Sequence, residues 1–172
     1  MKVQERIITT ATDLFHRQGY NATGINQIIE EAKVAKGSFY YNFKSKEDVC
    51  IAYLKARHAY WSEQLKTHIA SSDSDEVLTA FDFLMLMNEK EDFRGCSFLN
   101  ILSEIPSDNT KILSVIQRHK AELRTHFSVL LKGSALSDHV YLLFESAIIE
   151  SQLYRKQWPV EKAKEIVEAL LK

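Results

Sequence analysis

The sequence predicts an all-α protein, and three observations carry that expectation. Apolar residues recur at steps of three and four along almost the whole chain, no segment shows a sustained period of two, and 172 residues hold only 5 Gly and 2 Pro. About nine helices are expected, as a three-helix module over residues 1–46 and a helical body over 47–172. A chain of this length can bury a core of its own, and no internal repeat or low-complexity run interrupts it.

The first helix is expected over 3–18, where Val3, Ile7, Ala11, Leu14 and Phe15 share one side and Glu5, Arg6, Asp13 and Arg17 the other. Gly19 is its stop signal. Thr23 is the expected N-cap of a short second helix carrying Ile25, Ile28, Ile29 and Ala32, and Lys36 to Phe43 (KGSFYYNF) forms a third after a tight turn. Ser45, with Asp48 three positions on, reads as a capping box that opens a long helix to about Ala70, with Val49, Tyr53, Tyr60, Trp61, Leu65 and Ile69 facing inward. After the polar break Ser71-Ser72-Asp73-Ser74, helical patterns resume at 75–89, about 95–104, 108–132, 136–155 and 160–171. Pro106 and Pro159 stand where helices start or restart.

Lys+Arg 22 against Asp+Glu 23 give a net charge of −1, so the whole chain cannot hold a polyanion by charge alone and any nucleic-acid surface has to be local. Such a concentration lies between Lys33 and Lys46, where Lys33, Lys36, Lys44 and Lys46 occur without an acid. Two short helices joined by a tight turn let the second lie in a major groove about 12 Å wide. Lysines offer point charges to phosphates, Tyr40 and Tyr41 offer hydroxyls on rigid stems, and Gly37 removes a side chain where backbone and DNA would approach. Ser38 is small enough to touch a base edge or a phosphate. By spacing and charge alone, the same segment also fits a surface helix with aromatic packing.

From Ile7 onward, through LFHRQGYNATGINQIIEEAKVAKGSFYYNFKSKED, the chain resembles the N-terminal DNA-binding region of TetR/AcrR-type transcription regulators. The landmarks are LF and GY before the second helix, the Thr that follows, the K-G-x-x-Y-Y-x-F helix and the S-K-E opening of the fourth helix. The resemblance implies a helix-turn-helix reader over 1–46 and an effector-binding and dimerisation body over 47–172. It implies that Thr23, Tyr41 and Lys46 grip phosphates and that Asn26, Lys36, Gly37, Ser38 and Tyr40 lie nearest the bases, with Lys44 adding charge at the flank. Phe39 and Phe43 are expected to point into the small core. Two departures from the family pattern stand out: Lys33 replaces a Gly that ends the second helix in a left-handed conformation, and Ala35 replaces a capping Ser or Thr. Each predicts a loss of roughly 1 kcal/mol.

One such reader contacts few base pairs, so a two-fold dimer on a palindromic operator is expected, with its recognition helices about 34 Å apart or a multiple of it. The last two helices are the expected interface, through Val140, Leu143, Phe144, Ala147, Ile148, Val160, Ala163, Ile166, Val167 and Leu170. The family implies the same pair. The middle helices are rich in large soft side chains, and an effector pocket is expected from Tyr60, Phe81, Met85, Phe98, Ile112, Ile116, His119, Phe127 and Phe144, although the same set can simply fill a core. The segment Arg94-Gly95-Cys96-Ser97-Phe98-Leu99-Asn100 resembles the R-G-C-x-x-x-N stretch of one subgroup of the family, near its ligand cavity. A small, largely apolar effector with one polar contact follows from that setting. The expected action is repression, released when the effector binds.

Six His and two Cys, Cys50 and Cys96, show no metal-ligand spacing and no disulfide framework, and no metal or cofactor is expected. No GxSxG, phosphate-loop, GxGxxG or HExxH motif occurs, and the chain is not expected to be an enzyme. The first residues lack a signal-peptide pattern and no apolar run spans a bilayer, so a soluble cytoplasmic protein with no membrane partner is expected. The competing expectation is a helical small-molecule-binding protein that keeps the fold and no longer reads DNA.

Overall fold

A computed structural model describes residues 2–172. Among the described residues there are nine helices and no strand: α1 Val3–Gln18, α2 Ile25–Glu31, α3 Lys36–Asn42, α4 Lys46–Ala70, α5 Glu76–Lys90, α6 Ser97–Glu104, α7 Thr110–Leu130, α8 Leu136–Tyr154 and α9 Trp158–Leu170. The expected order and number hold, and the bounds shift by no more than two residues. The chain divides into two compact units, residues 1–60 with 97–117, and residues 61–96 with 118–172, so α4 and α7 each contribute to both.

In the first unit, α1 buries Ile7, Ala11, Leu14 and Phe15. These meet Ile28 of α2, Phe39 of α3 and Val49, Cys50, Tyr53 and Leu54 of α4, all buried, and the Phe15 ring packs edge-on against Tyr53 at 5.4 Å. Each fully buried large side chain of this kind contributes roughly 1.5–3 kcal/mol relative to exposure. Gly19 ends α1 at φ 93, a conformation that favours glycine, and its N–H donates to the Phe15 carbonyl. The α4 start is close to the expected capping box. The Asp48 N–H donates to Ser45 Oγ at 3.1 Å, while the Asp48 carboxylate accepts the Lys44 N–H rather than that of Ser45. Asn109 caps α7 by accepting from the Ile112 N–H at 3.0 Å, and Pro106 lies in the preceding turn, its carbonyl accepting from the Asn109 N–H.

In the second unit, Asp75 caps α5 through the N–H groups of Val77 and Leu78, and Pro159 opens α9 where its missing donor costs nothing. The core gathers Phe81, Phe83 and Leu84 from α5, Leu123 and Phe127 from α7, Val140, Phe144 and Ala147 from α8, and Val160, Ala163 and Val167 from α9. Polar ties pin α9 to α5: Lys164 to Asp82 at 2.5 Å, and Gln157 to the Met85 carbonyl at 2.8 Å. Gly95, in the R-G-C segment, sits at φ 77 beneath the Gln152 side chain, where a Cβ would collide. That explains why glycine stands there. No helix is long and apolar enough to cross a membrane, among the described residues.

Candidate nucleic-acid interface

Helices α2 and α3 are joined by the turn Ala32 to Ala35, and the turn is made by Lys33 at φ 52. The left-handed conformation expected where the family places Gly is therefore present, carried here by a lysine. The Arg6 guanidinium of α1 stabilises this turn, donating to the carbonyls of Ala32 and Lys33, both at 2.5 Å. Ala35 stands at the N-cap of α3 with no side-chain bond to the orphan N–H groups, as its methyl dictates.

Helix α3 presents two faces. Phe39 and Phe43 are buried in the small core, with Phe39 edge-on to Tyr40 at 5.3 Å. Lys36, Gly37, Tyr40, Tyr41 and Lys44 are exposed, Tyr41 at 84%, and Ser38 is half-buried. A large aromatic ring left so open, between lysines and on a helix otherwise anchored by phenylalanines, has no partner among the described residues to explain it. Asn26 is exposed on the first turn of α2. Lys44 folds its ammonium back to the Tyr40 carbonyl at 2.8 Å, which steadies the C-terminal end of α3. Lys46 is half-buried over the Tyr20 ring at 4.2 Å, a cation–π contact, and burial lowers its pKa from the usual value while Glu104 and Cys50 act in the opposite direction.

Thr23 differs from expectation in both roles. It is fully buried, its hydroxyl donates to the Gly19 carbonyl at 2.7 Å, and the N-cap of α2 is Gly24, which has no side chain to cap with. The hydroxyl closes the corner after α1 and is not available to a phosphate. That corner carries a further tie that spacing could not reveal. The Glu104 carboxylate, at the end of α6, accepts the Asn21 N–H at 2.6 Å, and the Asn21 side chain donates to the Glu104 carbonyl at 2.9 Å. Glu47, at the start of α4, similarly accepts from Asn109 at 3.0 Å and pairs with Lys111 at 2.9 Å.

The residues expected to line an effector pocket are divided between the units. Tyr60, Phe98, Ile112 and Ile116 belong to the first, and Phe81, Met85, His119, Phe127 and Phe144 to the second. Within the second unit, Phe144 packs against Phe81 at 5.2 Å and Phe127 at 5.3 Å, all three fully buried, so these rings fill space rather than enclose it. His119 is buried edge-on to Trp61 at 6.1 Å.

Most of the expected interface stripe lies within the chain itself. Val140, Phe144, Ala147, Ile148, Val160, Ala163 and Val167 are buried in the chain's own core and Leu143 is half-buried, leaving Ile166 and Leu170 exposed. A second stripe, Leu142, Ile149 and Leu153, faces outward on α8. Among the described residues, no group of three or more His, Cys, Asp or Glu could hold a metal ion.

Residues 7–53 match the model of the family described as bacterial regulatory proteins, tetR family. An HTH-type transcriptional regulator in the lacX 3' region of Lactococcus lactis is 30% identical over 106 residues, 59% of this chain and 54% of that protein. The HTH-type transcriptional regulator QacR of Staphylococcus aureus is 36% identical over 66 residues, 38% of this chain and 35% of its own length. The matched stretch thus spans about a third to a half of these curated relatives. Over the whole fold, the chain is similar to SCO4454, a TetR-family transcriptional regulator from Streptomyces coelicolor, with a TM-score of 0.88, 25% identity and coverage of 98% of this chain and 94% of that one. These relatives are regulators, not enzymes. The nine-helix architecture, the reader's landmarks and these likenesses agree: residues 7–53 form a tetR-family region, and the fold of the whole chain is similar to that of a TetR-family transcriptional regulator.

Proposed function

We propose that the chain is a cytoplasmic transcription regulator that binds a palindromic operator as a homodimer and is released by a small-molecule effector. The observation that carries this reading is the divided character of α3: Phe39 and Phe43 anchor it, while Lys36, Gly37, Tyr40, Tyr41 and Lys44 stand exposed. In this reading Tyr41 and Lys46 contact phosphates, and Asn26, Lys36, Gly37, Ser38 and Tyr40 face the base edges, with the reader occupying 1–46 and the sensing body 47–172. The partner subunit docks on the outward residues Ile149 and Leu153 of α8 with Ile166 and Leu170 of α9.

Effector binding favours a state in which the two readers lose the spacing that the operator demands. The operator affinity then falls by the difference in effector affinity between the two states, typically about 1–3 kcal/mol. Salt titration of DNA binding tests the reader directly. A reader that neutralises several phosphates loses affinity linearly in log salt, with a slope of about −0.9 per phosphate. A flat dependence, or no binding at low salt, would leave the helical small-molecule-binding protein as the better account.

A further inference from the structure

The second unit has an open cavity of about 420 Å³ in the groove between α7 and α8, lined by Lys120, Ala121, Arg124, Asp138, Tyr141 and Leu142. That volume lies within the range of roughly 300–1,000 Å³ usual for small-molecule sites. None of the residues expected from the sequence to meet an effector lines it, and its chemistry is different from theirs.

Lys120 is fixed on one side of this groove. Its ammonium donates to both Glu145 oxygens, at 2.8 and 2.7 Å, and approaches Cys96 Sγ at 3.5 Å, which uses all three of its donors. Burial pulls its pKa down, but the Cys96 sulfur and the Glu145 carboxylate outweigh that, so it remains a cation. Arg124 is held differently. Its Nε and Nη2 donate to the two Asp138 oxygens at 2.7 and 2.9 Å, and both side chains are more than half exposed. Exposed pairs of this kind contribute little to stability, so Asp138 can swing into solvent and yield the planar guanidinium fork to another carboxylate. Burial raises the Tyr141 pKa, which keeps its hydroxyl a donor. Ala121 and Leu142 supply the apolar wall. With Lys120 spent on Glu145 and Cys96, the lining offers one guanidinium, behind the displaceable Asp138, and one phenol.

We propose that the α7–α8 cavity binds a small organic monoacid, its carboxylate on the Arg124 fork and the Tyr141 hydroxyl and its apolar body along Ala121 and Leu142. This deepens the regulator reading and rests on it, because it names the effector class and moves the site from the aromatic core to a donor-rich groove.

Calorimetric titration of the full chain with 4-phenylbutyrate, 4-phenylbutanol and 4-phenylbutylamine tests it, since the three probes share a body and differ in the head. The expected result is one phenylbutyrate per chain, bound at least tenfold more tightly than the alcohol or the amine. Arg124→Gln and Tyr141→Phe weaken the acid severalfold or more, and Asp138→Asn strengthens it, because it removes the competitor for Arg124. All three positions are on the lining rather than in the core, and thermal unfolding of each variant verifies the fold. Equal binding of acid and alcohol, preference for the amine, or weaker acid binding by Asp138→Asn would overturn the proposal. The titration contains no DNA, so its failure leaves the reader untouched, and failure of operator binding leaves the monoacid site standing.

Discussion

Lys33 holds a left-handed φ of 52 where most residues are strained, and Arg6 grips the carbonyls on either side of that strain. The position was legible in the sequence because a helix end in this family pattern calls for Gly. The clamp was not, because an arginine 27 positions away carries no periodic signal. Lys33→Gly keeps the carbonyl that Arg6 uses and removes the strained Cβ, so it is expected to raise unfolding stability by about 1 kcal/mol, read as a higher urea midpoint with an unchanged slope. A lower midpoint would mean that the lysine side chain contributes more than its backbone costs. Thr23 shows the opposite failure. A Thr before a short helix reads as a cap, but the chain turns one residue later and spends the hydroxyl on Gly19.

At the scale of the element, α8 explains why much of the expected interface stripe lies in the chain's own core. Its sequence, LSDHVYLLFESAIIESQLY, is apolar on more than one side. Periodicity then identifies two stripes without saying which meets the chain's own core. Val140, Phe144, Ala147 and Ile148 turned inward, while Leu142, Ile149 and Leu153 stayed outside. The two stripes make separable predictions. Phe144→Ala is expected to cost about 3–5 kcal/mol of stability, the usual penalty for emptying a buried aromatic site, as a lowered denaturation midpoint. Leu153→Glu is expected to leave secondary structure and the monomer's stability nearly unchanged while shifting sedimentation from dimer to monomer. A monomeric wild-type protein, or a dimeric Leu153→Glu, would remove α8's outward stripe from the interface.

For the molecule as a whole, the helical class, the number of helices and the buried Phe39 and Phe43 of α3 could be read from local pattern, and a net charge of −1 forces any DNA surface to be local. What could not be read is long-range. The grouping of α6 and the start of α7 with the reader depends on pairs such as Asn21 with Glu104, 83 positions apart, and Glu47 with Asn109, 62 apart. Neither acid differs in sequence from an ordinary surface charge. Removing the carboxylate with Glu104→Ala is expected to lower the thermal midpoint by a few degrees at most, because it takes away one exposed bond, from the Asn21 N–H, of about 1 kcal/mol, while the bond to the Glu104 carbonyl remains.

The central claim is that α3 reads DNA, and it is tested most directly by selecting genomic fragments bound by the purified protein, alongside Lys36→Ala and Tyr41→Ala. Both side chains are exposed, so neither change should disturb the fold. The account predicts enrichment of one palindromic sequence by the wild type and its loss in both variants. No enrichment at low salt, or a palindrome retained by both variants, would contradict it.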